Sequence, residues 1–250
     1  MNKLRFFLLF FVGSASATTP ALVPSNEQLS NKYIEQALVR VSERSVVGVL
    51  IEEQWVVTTA SMAQCLTPQS VLTLNQQNMN IRQIYLEPDF QHKRGHDIAL
   101  IELTEKNKQQ TPVILQQRKK EQALLGSLFI DQTNGQSPDQ TRYFELNQPV
   151  IIDGGLLTIN NDQSPAYINL ANSKALRLLF TDDPKGARLL GLTTSQYTSV
   201  ENQSFTRIAH YHSWLNQVML GSVSYRTIIA TELFSGSKSL LPAMSHCELD

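Results

Sequence analysis

Short apolar runs recur along most of the chain, separated by Asn, Gly, Asp and Pro. The first set comprises Ala37–Val41, Val46–Ile51, Trp55–Thr58, Val71–Leu74, Ile81–Leu86 and Ile98–Leu103. A Lys/Gln-rich stretch then precedes the short run Pro112-Val113-Ile114-Leu115, and the charged segment from Arg118 to Gln122 reads as a crossing between two halves. A second set follows at Leu124–Ile130, Tyr143–Leu146, Val150–Ile152, Leu156–Ile159, Leu176–Phe180 and Leu189–Thr193. Runs of this length bounded by turn residues predict strands, and many of them in succession predict barrels or a sandwich. Near the end the spacing changes. Phe205, Ile208, Tyr211, Leu215 and Val218 recur at steps of three and four, which predicts a helix over 204–219 with Gly221 as its stop. Beyond it lie the apolar run Ile228-Ile229-Ala230 and a Ser/Gly/Lys tip at 235–239.

The N-terminus belongs to a different pattern. Lys3 and Arg5 precede an apolar stretch from Phe6 to Val12, and Ala15-Ser16-Ala17 has the small-x-small form of a cleavage site. Residues 1–17 therefore read as a signal peptide, with cleavage after Ala17 and a mature chain of about 233 residues. No later stretch approaches the ~20 apolar residues of a spanning helix. The expectation is an exported chain, periplasmic or secreted, with no membrane span. A formal net charge of −1 gives no reason to expect nucleic acid as a partner. The two cysteines, Cys65 and Cys247, either pair with each other or stay free, Cys65 buried and Cys247 in the tail. His92 and His96, or His210 and His212, lack the further ligands of a metal set, and there is no phosphate-binding glycine loop. Neither a metal nor a cofactor is expected.

Four segments carry a resemblance, in order. Val46-Val47-Gly48-Val49-Leu50-Ile51 leads into Trp55-Val56-Val57-Thr58-Thr59-Ala60-Ser61-Met62. Pro88-Asp89-Phe90 is followed by Asp97-Ile98-Ala99-Leu100-Ile101-Glu102-Leu103. Pro112-Val113-Ile114-Leu115 comes next, and Phe205-Thr206-Arg207-Ile208 with Tyr211 and Trp214-Leu215 closes the series. Together they span Val46 to Leu215 and resemble the landmark segments of the trypsin-like (chymotrypsin-fold) serine proteases. The resemblance implies an all-β, chymotrypsin-like double β-barrel with a C-terminal helix and a C-terminal extension. The divisions would be 1–17 signal peptide, 18–116 N-terminal part and first barrel, 117–219 second barrel and helix, and 220–250 extension.

The same resemblance shows what is missing. In that family the strand ending Trp-Val-(Leu/Val)-Thr-Ala runs into Ala-His-Cys, whose histidine is the general base. Here Ser61 stands in the histidine's place and Met62 in the cysteine's, while Asp97 matches the aspartate that orients the histidine. Val46 and Met62, matching a cysteine pair of the family, are both apolar. Ser173 matches the nucleophile, but Ala171, Asn172, Lys174 and Ala175 depart from the Gly-Asp-Ser-Gly-Gly pattern around it. Asp153-Gly154-Gly155 looks similar but lacks a serine. Tyr167 matches the substrate-pocket position that is acidic in Arg/Lys-specific members, so no basic-residue pocket is implied.

A serine attacks a carbonyl only if a neighbour takes its proton. The hydroxyl of Ser61 is too weak a base for that near neutral pH. Losing the histidine of such a triad costs roughly a million-fold in kcat, and a damaged oxyanion hole costs about a hundred-fold more. The sequence therefore points to a catalytically inactive protease homologue that binds a protein or peptide partner, with its oligomeric state open. The alternative is an active serine endopeptidase with a rearranged catalytic base and Ser173 as nucleophile. His96, beside Asp97, is the nearest replacement base in sequence, but neighbours on a strand edge point to opposite sides. A third reading is a structural β-protein whose tail adds to the sheet and whose cleft is closed.

Overall fold

The computed structural model describes residues 34–41, 45–67, 69–90, 96–108, 112–115, 117, 127–131, 141–145, 150–160, 176–183, 186–193, 202–222 and 228–229. After a helical turn at 34–37, the first half contains β1 (Leu38–Val41), β2 (Ser45–Glu52), β3 (Trp55–Thr58), the short helix α1 (Ala60–Ala63), β4 (Val71–Leu74), β5 (Gln77–Leu86) and β6 (Ala99–Leu103). These strands pair in the order β4-β1-β2-β3-β6-β5, and β5 pairs back onto β4, so the sheet closes into a six-stranded barrel. Closure leaves the strands with largely buried faces, which is why β2, β3 and β6 read as continuous apolar runs.

Local chemistry fixes the tight places. Asn75 and Gln76, the two residues between β4 and β5, both adopt positive φ (47° and 66°). A two-residue hairpin with that backbone matches the twist of its strands, and it sets Leu74 opposite Gln77. Gly48 lies where β2 and β3 run closest. A Cβ there would stand 2.7 Å from the Val57 carbonyl oxygen, so no larger residue fits without backbone movement.

A short strand β7 (Ile114–Leu115) crosses toward the second half. That half contains β8 (Ser127–Asp131), β9 (Thr141–Glu145), β10 (Ile151–Asp153), β11 (Leu156–Asn160), β12 (Arg177–Asp183), β13 (Gly186–Thr193) and β14 (Asn202–Arg207). Its strand order is β10-β11-β14-β13-β12-β8-β9, with β7 parallel to β13. Helix α2 (Ile208–Met219) follows β14 without a break, and β15 (Ile228–Ile229) then pairs with β5 of the first barrel. The all-β double-barrel expectation holds, with two corrections. Residues 204–207, read as helix, are strand, because ladder bonding to β11 and β13 outweighs a 3.6-residue period carried by one apolar residue. Helix α1 was not foreseen.

Strands β12 and β13 bury both faces. Leu178, Phe180, Leu189 and Leu192 join a large core that also holds Val47, Leu50, Val57, Leu100 and Ile101 of the first barrel and Ile208, Leu215 and Val218 of α2. Leu179 and Leu190 point the other way, into a smaller cluster with Val150, Leu157, Ile159 and Phe205. The period of two divides β12 between two cores, and in β13 the register shift at Leu190 returns Leu192 to the core of Leu189.

Candidate functional site

Register brings the first site residues together. Thr58 at the end of β3 is opposite Ala99 at the start of β6, so the residues just beyond Thr58 face those just before Ala99. Thr59 caps α1 with extended backbone, and its Oγ1 accepts the Met62 N–H at 3.2 Å. Ala60 and Ala63 are small enough to be buried beneath the turn. The first N–H groups of a helix have no acceptor inside it and attract negative charge. Asp97 supplies that charge: its Oδ1 accepts the Ser61 N–H at 2.7 Å, and the residue is 1% exposed. From the second half, Thr206 Oγ1 donates to the Asp97 carbonyl at 3.1 Å. Beneath this, the Thr58 hydroxyl donates to the Val47 carbonyl and ties β3 to β2.

Ser61 and Asp97, far apart in sequence, are therefore neighbours. What Ser61 offers Asp97 is its backbone N–H. Ser173 and Tyr167 lie outside the described residues. Cys65, two residues beyond α1, is disulfide-bonded, and Cys247 lies outside the described residues.

A second charged group adjoins this pair, and sequence reasoning did not single it out. His96 Nδ1 is 3.0 Å from Glu87 Oε2, and the same oxygen accepts the Asp89 N–H at 2.8 Å. Glu87 is buried, and burial raises its carboxyl above the ordinary glutamate value, opposed by His96. The His96 ring meets Tyr211 of α2 edge-on, with ring centroids 5.5 Å apart. Burial raises the Tyr211 phenol strongly, and the charges of Glu87, Asp89 and Asp97 add to the effect. One ligand atom each from Glu87, Asp89 and His96 lies within 4.8 Å of the others. Two of those atoms form the Glu87–His96 pair. The usable sequence signal was Glu87 itself, an acid where the resembling His-Pro-x-Tyr segment has a histidine.

The remaining candidates resolve simply. Asp153-Gly154-Gly155 is the turn between β10 and β11, where Asp153 is opposite Leu156 and Gly154 takes φ 55°. The turn sits against the start of α2: Arg207 N–H donates to Gly155 O at 2.8 Å and Arg207 Nη1 to Gly154 O at 3.1 Å. His210 is exposed and packs its ring on Tyr211. His212 pairs with Asn216 through Nδ1 at 3.2 Å and lines a cavity of about 280 Å³ between β2, the crossing strand and α2. No helix among the described residues is long and apolar enough to cross a membrane.

A family model described as Trypsin matches residues 28–146. The matched stretch holds β1 to β9, and with them Ser61 and Asp97, and ends before Ser173. No curated protein matches the chain.

Proposed function

Over residues 28–146 the chain belongs to the trypsin-like serine protease family, and from that premise we propose that it is a catalytically inactive homologue that binds a protein or peptide segment. One observation carries the reading. The Asp97 carboxylate accepts the backbone N–H of Ser61 at 2.7 Å, and the Ser61 side chain is a hydroxymethyl where the family has an imidazole. The frame that would hold a general base is kept and the base is gone. A hydroxyl cannot take the nucleophile's proton near neutral pH, and the deficit of roughly a million-fold leaves no useful turnover. The loops around such a frame remain available for recognition, and an extended segment of another protein is the occupant that fits the family's architecture. The protein works after export, with residues 1–17 removed.

Labelling of the full exported chain with an active-site fluorophosphonate, followed by peptide mapping, tests this directly, with Ser173→Ala in parallel. The expected result is no label on the folded protein beside a reactive trypsin-family control. Label at Ser173 that vanishes in Ser173→Ala would establish an assembled nucleophile and overturn the reading.

A further inference from the structure

We propose that the C-terminal extension is a strap fastened to the first barrel at two points, by strand β15 on β5 and by a disulfide between Cys65 and Cys247. The first fastening is a sheet edge. The pairing of β4 with β5 ends at Val71 opposite Asn80, while β5 continues to Leu86. There Tyr85 and Leu86 pair with Leu100 and Ala99 of β6 on one side. On the other side they would present an open edge, which in any β-protein invites pairing with another chain. β15 covers it, with Ile228 opposite Leu86 and Ile229 opposite Tyr85. The chain thus leaves α2 at Met219, on the second half, and returns to the first.

The second fastening follows from the cysteines. Cys65 is disulfide-bonded, and the chain contains two cysteines. Cys65 lies just past α1, which packs against β5 and β6, so it stands by the strand that β15 joins. Seventeen residues separate Ile229 from Cys247, and at roughly 3.3 Å per residue they reach across the barrel face with slack. In forming the bond the two thiols release two protons and two electrons to a disulfide oxidant such as oxidised glutathione, whose own bond is reduced to two thiols. Tethering also raises the local concentration of β15 at its edge, so the two fastenings support each other. The strap lands beside Leu86, one residue from Glu87, at the rim of the Asp97 site.

The test uses the full mature chain, oxidised, in two measurements. Non-reducing peptide mapping should recover one linked pair, Cys65 with Cys247, from monomeric protein. Glu87 N–H donates to Ile98 O on the β6 side, so by alternation the Leu86 N–H faces β15. Its amide hydrogen exchange should rise at least tenfold on reduction and equally in Cys247→Ser, while that of Tyr85, which faces β6, serves as the control. Two free thiols in the folded protein, or a Cys65 bond to a second chain, would overturn the proposal. So would a Cys65–Cys247 bond whose reduction leaves exchange at Leu86 unchanged, since the tail would then not be held as a strap. None of these outcomes depends on whether Ser173 reacts with a fluorophosphonate.

Discussion

Two buried acids, one just before β6 and one within it, are served in different ways. Glu102, near the strand's end, is surrounded by side chains: Arg82 Nη1 at 2.9 Å and Gln54 Nε2 at 3.3 Å reach Oε1, and the Tyr85 hydroxyl donates to Oε2 at 3.0 Å. Asp97, just before the strand, accepts a backbone N–H from the turn that follows β3. The Glu102 group carries its own cation and ties the β2–β3 turn and β5 to β6, as an ordinary structural network does. Asp97 is buried to 1% exposure at a point where the chain offers a helical turn and a serine. Glu102 thus braces strands through side chains, whereas Asp97 fixes the backbone of a turn. Retaining Asp97 still makes physical sense, because α1 depends on it.

The difference can be broken most sharply at Asp97. Asp97→Ala removes the acceptor of the Ser61 N–H and should cost about 3 kcal/mol in urea unfolding, the upper end for a hydrogen bond to a charged group. Asp97→Asn, which keeps an oxygen in place, should lose about half as much. Equal losses in the two variants would show that charge, not the acceptor, is what α1 needs. At the other acid, Tyr85→Phe should cost about 1 kcal/mol and should also change the alkaline limb of stability. Burial, then the Glu102 hydrogen bond, raises the Tyr85 phenol to about 12. Its contribution is therefore complete below pH ~10 and is lost as the pH rises through 12. Tyr85→Phe should flatten that limb, and an unchanged slope would assign it to another group. The smallest effect is expected at Arg82, whose side chain is 62% exposed. Arg82→Ala should cost about 0.5 kcal/mol, less in high salt, measured by the same unfolding curves.

Much of the barrel was legible because closure buries strands on their inner faces and packing buries several on both. Trp55–Thr58 and Val71–Leu74 were read with their observed bounds, as β3 and β4. β5 was read only from Ile81, because its first half alternates exposed Gln77, Asn78 and Asn80 with buried Met79 and its polarity hides the strand. Ile228-Ile229 was visible as an apolar run, but its pairing with Tyr85 and Leu86 is a contact over more than a hundred residues, which no local pattern encodes. At the site, the Ser61–Asp97 pairing was implied by the resemblance alone; hydrophobic pattern carries no such information. The Glu87–His96 pair is hidden because the two groups are nine residues apart and no helical or strand period links them. Tyr211 was read as a core position of the helix; its ring contact with His96 depends on how two separate halves dock.

That docking has a consequence for how such a protein changes over generations. The large core passes without interruption from β2, β3 and β6 into β12, β13 and α2. The stretch that the family model matches, 28–146, is therefore not a unit of folding by itself. A recombination event that moved it alone would deliver part of an interior, without Phe180, Leu189 and Leu215 of the shared core. Selection can rewrite the residues around Asp97 one at a time, but it has to hand the two halves down together.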